Sequence, residues 1–191
     1  MIDSSNPYSI LSLDGGGTWA LIQVRILQER YGNDMKGHEI LRKFDMVIAN
    51  SGGSLVLAGL CADKSLQEIR NLFESEKVLK AIFNKKIGIK PLLGFERFST
   101  EKKREGLKAF LGASADTELK KLPQLIGKTD LRIIITGFDY SRERATYFRS
   151  DENSRMESSI IECIVANKPI ANNNFDSITL LNAIHASSNA P

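Results

Sequence analysis

Phe44-Asp45-Met46-Val47-Ile48-Ala49-Asn50-Ser51-Gly52-Gly53 decides how this chain is read. A short apolar run passes straight into a serine flanked by small residues, and the sequence continues as the apolar stretch Leu55 to Cys61. A serine at a sharp strand-to-helix turn is lifted above the sheet with its oxygen exposed. Its neighbours must be small because strand and helix nearly collide there. Ser51 is therefore the candidate nucleophile, and Ala49-x-Ser51-x-Gly53 is a nucleophile elbow with alanine in place of the first glycine. Taken alone, the same pattern also fits an ordinary turn, so its surroundings must decide.

Working outward, Tyr8 to Leu13 reads as a short buried strand, broken by Asp14-Gly15-Gly16-Gly17-Thr18 before an apolar-periodic helix from about Trp19 to Tyr31. Phe44 to Ala49 is the second strand and Ser51 to Leu60 the helix after it. Ser65-Leu66-Gln67-Glu68 has the form of a capping box opening another helix. This β-α-β-α order predicts an α/β fold, a three-layer α/β/α sandwich with a mainly parallel central sheet and ligands at the carboxyl ends of its strands. Both glycine-rich turns fall at those ends. Further along, Ser99 to Leu111 reads as a helix stopped by Gly112, Leu131 to Phe138 as a strand paired with Ala145 to Phe148, and Ile178 to Ala186 as a final helix. Asn172-Asn173-Asn174 marks a loop. The basic, irregular stretch Asn84 to Arg104 reads as a solvated excursion with its apolar residues docked on the domain, in preference to a lid or membrane-facing loop.

A chain of 191 residues that is 42% hydrophobic can bury a substantial core and fits a single domain. Its 26 Lys plus Arg against 23 Asp plus Glu leave a net charge of +3, too mild to imply nucleic-acid binding and compatible with an anionic lipid surface. Cys61 and Cys163 sit in apolar stretches without the spacing of a metal or redox motif, which reads as buried thiols in a reducing compartment. Met1 to Asn6 carry neither the basic segment nor the apolar core of a secretory signal, and Leu55 to Cys61 falls far short of the roughly 20 residues a spanning helix needs. A cytoplasmic location is expected, with any membrane contact peripheral. Nothing in the chain sets an oligomeric state.

The chemistry rests on two turns. Gly15-Gly16-Gly17 offers backbone N–H groups that can converge on a negative charge beside a helix N-terminus, and suits a phosphate or an oxyanion equally. Gly15-x-Gly17-x-x-Ala20 approaches a dinucleotide fingerprint, but the second strand ends in Ala49-Asn50-Ser51 where a ribose-binding acid would be needed. With a serine elbow after strand two and this loop after strand one, nucleophile and oxyanion hole would face each other across neighbouring strand ends, Gly52 adding the amide after the nucleophile. A hydrolase triad also needs a histidine. The chain has two: His38, at the amino end of strand two and so on the wrong side of the sheet, and His185, in the last helix and read as a packing or surface residue. Either the serine is activated without histidine, or it is not catalytic and the glycine loop belongs to a phosphate-, nucleotide- or lipid-binding module.

At this point the chain resembles the patatin-like phospholipases. Asp14 to Gly17 matches the family's opening Asp-Gly-Gly-Gly, and Phe44 to Gly53 its Phe-Asp strand ending Gly-x-Ser-x-Gly. Glu105 to Gly112 looks like the helix before its third strand, and Thr136 to Tyr140 with Tyr147 to Ser150 like its next two strands. Ala183 to Pro191 is similar to Ala-x-x-Ala-Ser-Ser-Ala-Ala-Pro. The resemblance implies a lipid acyl hydrolase with a phospholipid or related lipid ester as substrate and a serine-aspartate dyad in which a carboxylate activates Ser51, with no metal or cofactor. The family's dyad aspartate lies in an Asp-Gly-Gly or Asp-Gly-Ala motif beyond the Ala-Ala-Pro element. Residues 1–191 are accordingly expected to be one patatin-like domain, incomplete at its C-terminal end and inactive alone. Trp19 and Ala20 stand where the family has a basic residue and glycine, Ala49 replaces the first elbow glycine, and Ser54 stands where a second glycine is common. Trp19 is expected to open the helix and pack on the sheet.

Overall fold

The computed structural model describes residues 7–75, 100–139, 143–151 and 178–188. Its sheet has four strands in the order β1 (Ile10–Leu13), β2 (Met46–Asn50), β3 (Arg132–Asp139) and β4 (Arg144–Arg149). The first three are parallel and β4 returns antiparallel to β3. Leu13, Ala49 and Ile135 share one register line, as do Leu11, Val47 and Ile133. All but Leu11, which is half-buried, are buried on the same face, as the two-residue period of a strand requires.

Because β1, β2 and β3 advance in one direction across the sheet, right-handed crossovers place the helices between them on one face. These are α1 (Leu21–Tyr31), α2 (Gly37–Leu41), α3 (Gly52–Cys61), α4 (Leu66–Glu74), α5 (Thr100–Leu111) and α6 (Leu122–Ile126), with α7 (Leu180–Ser187) following β4. On the opposite face Ile10, Phe138 and Tyr147 remain 54%, 51% and 58% exposed. Among the described residues the sheet is therefore loaded chiefly on the side that carries α3. No described helix is long and apolar enough to cross a membrane.

Helix α3 is the centre of the core, with every residue from Gly52 to Cys61 buried. Burial on all sides explains its nearly uninterrupted apolar sequence. Two glycines let neighbours press against it: a Cβ on Gly37 would lie 2.2 Å from the Leu60 carbonyl oxygen, and one on Gly59 2.5 Å from Ile69 Cγ1. The capping box is formed as expected, Glu68 N–H donating to Ser65 Oγ at 3.2 Å and Ser65 N–H to Glu68 Oε2 at 2.8 Å. Helix α4 then buries Leu66, Ile69, Leu72 and Phe73, one side of a helix.

Other boundaries shift slightly. The first strand begins at Ile10, the second at Met46, and the helix after the glycine turn begins with a 3-10 turn, Gly17–Ala20. Helix α2 and the short helical segments from Gly112 to Ile126 were not legible, being too brief to show a period. Residues 84–99, the loop at Asn172 to Asn174 and Cys163 lie outside the described residues; Cys61 is buried as expected.

Asp45 joins the amino ends of the strands. Its carboxylate accepts the Lys128 ammonium at 2.8 Å and the Ser9 N–H at 2.8 Å, and these bonds, the lysine's foremost, hold its pKa below the usual carboxylate value. The Phe-Asp of the elbow strand thus locks β2 to the approach of β1, at the end of the sheet away from Ser51.

Lys103, only 2% exposed, donates from Nζ to the Ser188 carbonyl at the end of α7. Desolvation pushes its ammonium down to about 8, although a helix C-terminus favours a cation. Between about 8 and the ordinary lysine value the unfolded chain binds the extra proton, so this group makes stability rise with pH. In urea unfolding at pH 7 and 10.5, wild type should gain on the order of 2 kcal/mol more than Lys103→Met. An equal gain in both proteins would show that Lys103 is not the titrating group.

Candidate active site

The geometry at Ser51 follows from what must fit beneath it. A Cβ on Gly53 would lie 2.0 Å from the Leu13 carbonyl oxygen and 2.6 Å from that of Asp14, so α3 starts in backbone contact with the end of β1. A Cβ on Gly52 would meet the Gly17 carbonyl oxygen at 2.3 Å and the Gly17 nitrogen at 2.8 Å. With both glycines held there, the direction change from β2 into α3 falls on Ser51. Its φ of 47° and ψ of −114° lie in a sparsely populated region for a side-chain-bearing residue. Such strain costs of order 1–3 kcal/mol and persists only where the surroundings over-determine it.

The surroundings here are specific. The Ser51 N–H donates to Ser187 Oγ at 2.9 Å, and the Ser51 carbonyl accepts both the Ser54 N–H at 3.0 Å and the Ser54 hydroxyl at 2.5 Å. The elbow is thus held on its amide side by α7 and on its carbonyl side by α3. Gly52 and Gly53, as the first residues of α3, present amides that have no acceptor within the helix.

Residues 14–17 close over this turn. A Cβ on Gly15 would stand 3.4 Å from Ser51 Cβ and 3.1 Å from Asn50 Nδ2, which sets the glycine loop directly beside the serine. Gly16 and Gly17 have φ of 130° and 57°, conformations that side-chain-bearing residues rarely adopt. Gln23 Nε2 donates to the Asp14 carbonyl at 2.8 Å and the Trp19 N–H to the Gly16 carbonyl at 3.1 Å, so both carbonyls already have donors. The structure therefore brings Gly15, Gly16, Gly17, Ser51 and Gly52 together at adjacent strand ends.

Trp19 departs from expectation. It is 76% exposed, whereas Ala20, the next residue, is fully buried with its methyl at the Gly52 contact. The crevice between the 3-10 turn and α3 holds a methyl only, so the turn presents Ala20 inward and Trp19 outward.

Both histidines are accounted for. His38 Nε2 donates to the Cys61 carbonyl at 3.0 Å and its backbone N–H to Asp63 Oδ1 at 2.9 Å, so it caps the far end of α3, about 15 Å along the helix from Ser51. His185 is a packing residue, 3% exposed. It precedes Ser187 by two positions and so points about 200° round α7 from the hydroxyl that meets Ser51. The sequence gives Asn50 and Ser187 no role of their own, and marks Ser54 only as standing where a second glycine is common. Ser54 is three residues from Ser51 on the same helix and its contact could have been anticipated, but Ser187 is 136 positions away.

A family model described as patatin-like phospholipase matches residues 11–191, from β1 through the end of the chain. The chain belongs to the patatin-like phospholipase family. It is 28% identical over 150 residues to a cGAMP-activated phospholipase of Pseudomonas aeruginosa, covering 78% of this chain and 42% of that protein. It is 26% identical over 134 residues to patatin-like phospholipase 1 of Plasmodium falciparum, covering 66% of this chain and 19% of the relative. An intracellular phospholipase A2 of Caenorhabditis elegans is 37% identical over 68 residues, 34% of this chain and 6% of the relative. The chain thus spans less than half the length of each of these curated relatives.

The glycine contacts of this patatin-like elbow make a direct prediction. Gly53→Ala drives a methyl into the backbone at Leu13 and should destabilise by about 3 kcal/mol or more, at the upper end of the usual cost of overpacking. Urea unfolding that shows a loss below about 1 kcal/mol would mean that β1 and α3 are not in this contact.

Proposed function

We propose that this chain supplies the nucleophile and oxyanion hole of a lipid acyl hydrolase, a phospholipase A-type enzyme that cleaves glycerophospholipid or related esters. The observation that carries the reading is the strained Ser51 elbow with the Gly15–Gly17 loop pressed against it. Two turns that each have an ordinary explanation meet at one point, and strain of this kind concentrates at functional sites. Membership of the family supports it further.

In this mechanism Ser51 Oγ attacks the ester carbonyl while its proton passes to a carboxylate. The carbonyl oxygen gathers negative charge between the amides of Gly15 to Gly17 and the amide of Gly52. Because Ser187 already takes the Ser51 N–H, the elbow's contribution comes from the next amide along. Collapse of the tetrahedral intermediate breaks the ester C–O bond, the leaving alcohol takes the proton, and the acyl group stays on Ser51. Water, deprotonated by the same carboxylate, then releases the fatty acid and restores the serine.

The carboxylate is assigned to an aspartate beyond residue 191, where polypeptide completing the domain would bring it to the elbow. Aspartates within the chain support this by being engaged elsewhere: Asp45 with Ser9 and Lys128, Asp63 with His38, Asp151 with Arg149. The lipid is reached from the cytoplasm through peripheral contact with a membrane. No metal or cofactor takes part in these steps.

The test is labelling of the full-length protein by an active-site-directed fluorophosphonate, together with fatty-acid release from phospholipid vesicles. Wild type should label and hydrolyse, and Ser51→Ala should do neither. Gly16→Val, forced into a conformation its side chain opposes, should lose about a hundredfold to a thousandfold in kcat, the usual cost of one oxyanion donor. Nucleotide-dependent thermal stabilisation of a protein that never labels would replace this reading with a binding module.

A further inference from the structure

The elbow's strain needs a restraint, and the structure contains one that the chemistry above does not use. Helix α3 holds the Ser51 carbonyl through Ser54, but the amide lies past the last β2–β3 register pair, Asn50 with Thr136, and so beyond the sheet ladder. Its acceptor is a side chain, Ser187 Oγ, at 2.9 Å. Ser187 is 8% exposed, in the last turn of α7, which packs on both α3 and β3.

The end of α7 is itself fastened. The Ser188 hydroxyl donates to the Ile184 carbonyl at 2.6 Å, and the Ser188 carbonyl accepts from Lys103 Nζ, which reaches it from α5 while almost wholly buried. A buried polar side chain without a partner costs about 1–3 kcal/mol, so this arrangement is held to one geometry. The hydroxyl at Ser187 is thereby placed by α7 and α5, which contribute no residue to the elbow turn itself.

We infer that Ser187 is a positioning residue for the nucleophile: it fixes the Ser51 amide and with it the direction in which Ser51 Oγ points. It touches neither substrate nor the reacting oxygen. The inference rests on Ser51 being the nucleophile, and its test separates the two ideas.

Full-length Ser187→Ala, Ser187→Thr and Ser51→Ala are compared with wild type for kcat and KM on phospholipid vesicles, fluorophosphonate labelling rate and thermal unfolding. A freed Ser51 amide lets the oxygen swing away from its line of attack, and misplacement of about 1 Å costs on the order of a hundredfold. Ser187→Ala should therefore lower kcat and the labelling rate by about 10- to 100-fold with KM within about twofold, and Ser187→Thr, which keeps the hydroxyl, should recover most of both. Labelling of Ser187→Ala at the wild-type rate, with Ser51→Ala inert, overturns the positioning role and leaves the nucleophile in place. Equal losses in the Ala and Thr variants, following a common fall in unfolding temperature, also overturn it by reducing Ser187 to a packing residue. Wild-type labelling of Ser51→Ala would instead remove the nucleophile assignment and this inference with it.

Discussion

The backbone of α3 touches the backbone of β1, and the rest of the architecture accommodates that contact. Gly53 lies where a single methyl would overlap the Leu13 carbonyl, and Gly52 where one would overlap Gly17. Two consecutive residues without side chains bring helix and strand closer than any other pair of types would allow. The approach forces the turn onto Ser51, draws the glycine loop alongside, and leaves α3 so deeply enclosed that all its residues are buried. Strain at one residue is thus sustained by close packing at several others, an exchange that proteins make at sites of function.

The two ends of the sheet have different tasks. At the amino ends, charge and hydrogen bonds fasten strands together: Asp45 holds Ser9 and Lys128, and His38 and Asp63 close the far end of α3. At the carboxyl ends, the backbone of the Gly15–Gly17 loop turns toward the serine. Asp45, close in sequence to the elbow, therefore serves the opposite end of the sheet. Burial also distinguishes the cations, since Lys103 lies inside the protein against a helix end, whereas the ion pairs of Lys36, Arg25 and Lys108 stay largely in solvent, where such pairs contribute little.

Much of this was legible from the chain. The β-α-β-α order, the capping box at Ser65, the elbow at Ser51 and its pairing with the loop at Gly15 to Gly17 all depend on local pattern: apolar period, glycine at turns, serine at a helix start. Each is written within a few residues. The exposure of Trp19 was not legible in this way because its placement depends on the width of a crevice between two elements, and an apolar residue at a helix start gives no measure of that width. Helix α2 was missed for a simpler reason, since five residues are too few to show a helical period.

The sequence by itself determined where a nucleophile could stand and which turn would face it, because strand, glycine turn and elbow are local features fixed by backbone freedom and apolar spacing. Only the tertiary structure decided what holds Ser51. Ser187 and Lys103 lie 136 and 52 positions from Ser51 in the numbered chain, and no local pattern relates them. Packing of α5 and α7 around α3 brings Ser187 to the Ser51 amide and Lys103 to the Ser188 carbonyl beside it, and a hydrogen bond depends on distance in space, which a linear pattern does not record.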